Sequence, residues 1–90
     1  MSIVAVKIKI MPDSPEANMT NIEKEVKTML EGQGVKNTHF EIEPIAFGLK
    51  ALLIMFGWPE EKPLEELEEK LRKIKKIGSV QVTDIRRAIG

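Results

Sequence analysis

Residues 35–56 read VKNTHFEIEPIAFGLKALLIMF, and they contain two strand patterns with no helix between them. Over 35–43 the apolar residues Phe40 and Ile42 fall on one side of a polar run, as in a half-buried strand. Over 49–56 every residue except Lys50 is apolar, which is the pattern of a strand covered on both faces at the centre of a sheet. Residues 44–48 break the two runs apart. Pro44 cannot donate to a ladder, and Gly48 accepts backbone angles that other residues avoid. Two adjacent strands around a short break form a β-hairpin, and Gly57-Trp58-Pro59 is the expected end of its second strand.

On the N-terminal side, residues 3–11 alternate. Val4, Val6, Ile8 and Ile10 share one face, and Ala5, Lys7 and Lys9 the other. The run Met11-Pro12-Asp13-Ser14-Pro15 ends that strand in a turn. A helix follows over 19–31, with Met19, Ile22, Val26, Met29 and Leu30 at helical spacing. Asn18 is suited to cap it, Thr20 with Glu23 offers a competing capping box, and Gly32 and Gly34 stop it. On the C-terminal side a second helix is expected over 63–76, with Pro63 in its first turn. Leu64, Leu67, Leu71, Ile74 and Ile77 form its buried stripe. Acidic residues crowd its first half and basic residues its second, which suits the helix dipole. Glu66–Lys70, Glu68–Arg72 and Glu69–Lys73 are spaced to pair along it. Gly78 is the expected stop, and residues 79–87 read as a last strand.

The order is β-α-β-β-α-β. Two right-handed crossovers joined by a hairpin give an α+β domain of the ferredoxin-like, split-βαβ kind. Its sheet has four antiparallel strands in the order 4-1-3-2, with both helices on one face. All ninety residues are accounted for as a single domain. The chain has no cysteine, which rules out disulfides, thiol catalysis and thiolate metal sites. It opens directly into a strand pattern, with no apolar run near the ~20 residues of a membrane span and no signal-peptide pattern. A cytoplasmic, monomeric protein is expected. Fourteen basic and fourteen acidic residues cancel, so bulk charge gives no pull toward nucleic acid. Lys and Glu dominate the charged residues, a bias that occurs in proteins from hot environments.

Catalytic chemistry is hard to assemble from what remains. The one histidine, His39, lies among polar strand neighbours and reads as a surface residue. A Ser–His–Asp triad, a phosphate-cradling glycine loop and a metal cluster are all missing, so no catalytic residue, cofactor or metal is expected. The many carboxylates, Glu41 and Glu43 and those between 60 and 69, read as solvated faces. Two segments stand out. The hairpin turn carries Ile45, Ala46 and Phe47 where turns are usually polar, stiffened by Pro44 and freed by Gly48. On pattern alone, Phe47 either folds back to cap the core or stands outward as a binding hot spot. The C-terminal run Asp84-Ile85-Arg86-Arg87-Ala88-Ile89-Gly90 joins two cations to an apolar residue, and reads either as a solvated end or as a contact segment. The topology puts these two segments at opposite ends of the sheet, ~25 Å apart for a strand of seven or eight residues. A partner touching both is therefore large or built from two domains.

The segment from Glu43 to Leu52, Glu-Pro-Ile-Ala-Phe-Gly-Leu-Lys-Ala-Leu, followed after one helix by Val80-Gln81-Val82-Thr83-Asp84-Ile85, resembles the translation elongation factor 1-beta family. The length without further domains is similar to the archaeal form, whereas eukaryotic relatives carry this unit at the end of a longer chain. The resemblance implies the same plait, and guanine nucleotide exchange on elongation factor 1-alpha without covalent chemistry. It also implies that Phe47 touches the partner, within an expected contact set of Pro44, Ile45, Phe47, Gly48, Arg86, Arg87 and Ile89. Eukaryotic members use a near-terminal lysine to disturb the partner's magnesium and phosphate site. Here the matching position is Gly90, and the nearest cations are Arg86 and Arg87, so this sequence departs from that pattern.

Three other functions fit the same element order. An RNA-recognition motif needs aromatics on the two central strands to stack bases. The first strand has none, and Leu49 and Ala51 stand where rings would be expected in the third. A small-ligand-sensing regulatory domain would need a marked pocket, which the sequence does not show. An acylphosphatase-like enzyme would need an anion-cradling arginine loop after the first strand, where residues 11–16 are acidic and lack Arg.

Overall fold

The computed structural model describes residues 3–35 and 37–87. In chain order these form β1 (Ile3–Pro12), α1 (Met19–Gly32), β2 (His39–Pro44), a 3-10 turn (Ala46–Gly48), β3 (Lys50–Pro59), α2 (Leu64–Arg72) and β4 (Ile77–Arg87). The strands pair as β2-β3-β1-β4, and every pairing is antiparallel. This is the ferredoxin-like 4-1-3-2 sheet that the sequence implies.

Strand periodicity decides which face is buried. Val6, Ile8 and Ile10 lie opposite Phe56, Ile54 and Leu52 across the β1–β3 ladder, and all six side chains are buried. They form one cluster with Ile22, Val26 and Leu30 of α1 and with Leu67 and Leu71 of α2. Both helices therefore cover the same side of the sheet. Burying a side chain of this size contributes about 1.5–3 kcal/mol, so this one cluster is the main source of stability.

The other face is polar at its edges and sealed over its centre. Lys9 lies opposite Leu53, and Glu43 lies opposite Ala51 on the other flank of β3. Lys9 Nζ reaches Glu43 Oε1 at 3.8 Å, so the pair crosses over β3. Ala51 and Leu53 are buried beneath it, although no helix covers them.

Helix α1 starts and stops where local chemistry dictates. Asn18 caps it, its side chain accepting a hydrogen bond from the Asn21 amide at 3.2 Å, so the competing box at Thr20 is not used. At the other end the Val35 amide donates to the Leu30 carbonyl and the Gly34 amide to the Glu31 carbonyl. That is a Schellman closure, with Gly34 left-handed at φ 84° and Val35 buried.

Four boundaries differ from the sequence reading. β2 begins at His39 rather than Val35, because Val35 is consumed in closing α1 and Asn37 turns the chain at φ 58°. β3 runs on through Gly57 and Trp58 to Pro59, since β1 reaches far enough to pair Val4 with Trp58 and Ile3 with Pro59. α2 ends at Arg72, preceded by Pro63 as its cap. The Lys73 and Ile74 amides then tighten onto the Lys70 and Leu71 carbonyls. Lys76, at φ 71°, makes the reversal expected of Gly78. Gly78 and Ile77 belong to β4, where a side chain at 78 would stand 3.0 Å from the Pro12 carbonyl oxygen. Of the three expected pairs along α2, only Glu68–Arg72 is formed, at 3.9 Å.

Candidate functional site

The turn between β2 and β3 is built to hold one side chain away from the protein. Pro44 closes β2 opposite Lys50. The Ile45 amide donates to the Leu49 carbonyl at 2.7 Å, and the Leu49 amide returns to the Ala46 carbonyl at 3.4 Å. Within this small ring, Phe47 and Gly48 both adopt left-handed angles, with φ 64° and 75°. Ile45 is half-buried, whereas Pro44, Ala46 and Gly48 are exposed. Phe47 is 93 % exposed. Of the two orientations the sequence leaves open, the ring takes the outward one. An aromatic side chain carries 150–250 Å² of burial area, and here nearly all of it remains available.

The two arginines are less simply placed. Arg86 lies opposite Ala5 and Arg87 opposite Val4, so strand alternation sends them to opposite faces of β4. Neither is idle. Arg86 Nε sits 2.8 Å from Asp84 Oδ2, and Arg87 donates to the Glu60 carboxylate in the loop after β3. Both side chains remain mostly exposed. Ile89, the apolar member of the expected tail, lies outside the described residues, as does Gly90. Asp84 stands in the segment that carries the family resemblance and Glu60 among the carboxylates read as solvated, but sequence reasoning paired neither with an arginine. Asp84 lies two residues before Arg86 on the same face of β4, whereas Glu60 comes to Arg87 only through the ladder register.

Antiparallel pairing places the Phe47 turn beyond the Ile10 end of β1, and Arg87 at the Val4 end. β3 spans the distance between them, ~30 Å for its ten residues, in a molecule 41 Å along its longest axis. Sequence reasoning thus identifies the opposition of the two segments correctly.

His39 is exposed on β2, 3.2 Å from the Glu41 carboxylate. Among the described residues there is no group of three or more His, Cys, Asp or Glu arranged to hold a metal ion, and no helix is long and apolar enough to cross a membrane.

The family model described as the EF-1 guanine nucleotide exchange domain matches residues 5–88. Archaeal proteins named elongation factor 1-beta are similar along almost their whole length. That of Methanocaldococcus jannaschii is 37 % identical, with 94 % of this chain and 97 % of the relative covered. That of Methanosphaera stadtmanae is 38 % identical, with 97 % and 98 % covered. That of Methanococcus aeolicus is 34 % identical, with 92 % and 98 % covered. Among solved structures, 30S ribosomal protein S6 from Thermotoga maritima superposes with a TM-score of 0.62 at 17 % identity, over 98 % of this chain and 89 % of that one. At that identity it shares the fold alone.

Proposed function

Because the chain belongs to the family of EF-1 guanine nucleotide exchange domains, we propose that it promotes replacement of GDP by GTP on elongation factor 1-alpha, by gripping the nucleotide-free form of that G protein. The observation that carries this reading is the outward Phe47 ring on a turn that fixes its position.

Exchange of this kind requires only linkage. A factor that binds the nucleotide-free G protein more tightly than its GDP form weakens GDP by the same factor. Each tenfold weakening corresponds to about 1.4 kcal/mol of differential binding. An aromatic anchor at the centre of an interface supplies about 2 kcal/mol or more, so Phe47 accounts for at least one such step. In this reading Phe47, held by Pro44, Ile45 and Gly48, anchors one domain of the partner. The β4 end, with Arg86, Arg87 and the segment leading to Ile89, bears on the nucleotide-binding domain. Arg86 and Arg87 leave Asp84 and Glu60 to do so. These exposed ion pairs are worth ~1 kcal/mol or less each, so the exchange of partners is cheap.

The direct test is release of a fluorescent GDP analogue from archaeal elongation factor 1-alpha, with wild type and with Phe47→Ala. Dose-dependent acceleration by the wild type, lost in a folded Phe47→Ala protein, is expected. Equal acceleration by both would end the anchor reading.

A further inference from the structure

A lone aromatic side chain does not make an interface. A specific contact covers about 800 Å² on each partner, against the 150–250 Å² of one ring. A protein held at Phe47 therefore covers the surface beside it. On the helix side of the hairpin that surface is a groove of about 370 Å³. Pro15 and Ala17, from the segment between β1 and α1, form one wall together with Met19 at the start of α1, and Ile42, Gly48 and Lys50 of the hairpin form the other.

Ile42 is the unusual member. It lies opposite Leu52, on the side of the sheet that the helices cover, yet it is 48 % exposed. β2 is the edge strand, and α1 lines the groove beside it with the first residues of its first turn, Met19 and Thr20. The structure thus leaves an isoleucine open at the end of the molecule where Phe47 stands. Gly48 belongs both to the Phe47 turn and to the groove wall, so the two surfaces are continuous. Lys50 is the one charged residue lining the groove, and among the described residues it enters no ion pair.

We infer that this groove is a second contact site for the G protein that Phe47 anchors. It receives a segment of that partner in which an aliphatic side chain sits beside a carboxylate. The side chain packs on Ile42 and Met19, and the carboxylate meets Lys50. This inference rests on the exchange-factor reading above and assigns the partner's chemistry at a surface adjoining Phe47.

The test is calorimetric titration of each variant into nucleotide-free elongation factor 1-alpha at low and moderate salt. Ile42→Thr keeps the β-branch that suits the strand and removes apolar surface, while Lys50→Glu reverses the rim charge. Both positions are exposed, and unchanged melting temperatures confirm the fold. Ile42→Thr is expected to weaken binding about tenfold or more. Lys50→Glu is expected to weaken it most at low salt. If both bind like wild type while Phe47→Ala does not, the groove is not a contact and the anchor stands. If Phe47→Ala also binds like wild type, both readings fall together.

Discussion

Phe47 and Gly48 are consecutive residues in the left-handed region, yet nothing packs on the Phe47 ring to hold it there. The hairpin closure from Ile45 to Leu49 imposes the geometry instead. For a bulky residue that conformation costs roughly 1–2 kcal/mol. Asparagine tolerates it, so Phe47→Asn is expected to raise stability to urea by up to about 1 kcal/mol. The same variant should lose most exchange activity. A fall in both stability and activity would mean that the ring supports the fold.

The plait was legible because each element carries its own signal. The alternation of β1, the five-position stripe of α1, the apolar run of β3 and the charge gradient of α2 are local, and the connection rules then leave one topology. The boundaries that differ depend on long-range pairing. Trp58 belongs to β3 only because Val4 lies opposite it, and Gly78 is in β4 because Pro12 passes too close for a side chain. The Phe47 turn was visible as an apolar tripeptide between Pro44 and Gly48. Its outward orientation was not, since it follows from two dihedral angles. Ile42 was visible as an apolar residue on one side of β2, but its exposure on an edge strand was not. The arginines were visible, and strand alternation sets Asp84 beside Arg86, whereas the Glu60 partner of Arg87 arises from register.

Three glycines should respond differently to alanine. At Gly32, in the last turn of α1, a Cβ meets nothing within 4 Å. Gly32→Ala is expected to stabilise by about 0.5–1 kcal/mol. At Gly48 the space is equally open but φ is 75°, so Gly48→Ala should cost about 1 kcal/mol. It should also reduce exchange with the Phe47 ring still present. At Gly78 a Cβ would meet backbone atoms of Pro12 and Asp13 at 3.0–3.2 Å. Gly78→Ala should therefore cost about 1–3 kcal/mol. Urea unfolding curves for the three variants give the ranking, and any other order would contradict the stated causes.

The two ends of the sheet should act independently. Phe47 and Arg87 are separated by the length of β3, well beyond a Debye length of ~10 Å at 0.1 M salt. The changes in activation free energy for GDP release in Phe47→Ala and Arg87→Ala should add in the double variant within about 0.5 kcal/mol. The Arg87→Ala effect should shrink as salt rises, whereas that of Phe47→Ala should not. Strong non-additivity would show that the two ends do not engage separate parts of the partner.

Trp58 is fastened from three sides. Its ring is buried and meets Phe56 edge-on at 6.0 Å between centroids. Its Nε1 donates to the Lys62 carbonyl at 3.0 Å. The Lys62 ammonium lies 4.9 Å from the ring centroid and donates to the Gln33 carbonyl at 3.3 Å. The loop after β3 is thereby tied both to the sheet and to the end of α1, next to the Val4–Arg87 pair that closes β4. Replacing Lys62 by Met keeps the apolar stem and removes the charge, so Lys62→Met should cost about 1 kcal/mol through the lost ring contact and hydrogen bond. Because the loop sits at the β4 end, the amides in the ladder around Val4 and Arg87 should exchange with solvent faster in this variant. Ile45 and Leu49, in the Phe47 turn, should keep their protection. Equal loosening at both ends would mean that the Lys62 contacts stabilise the whole domain rather than fixing the platform from which the C-terminal segment leaves.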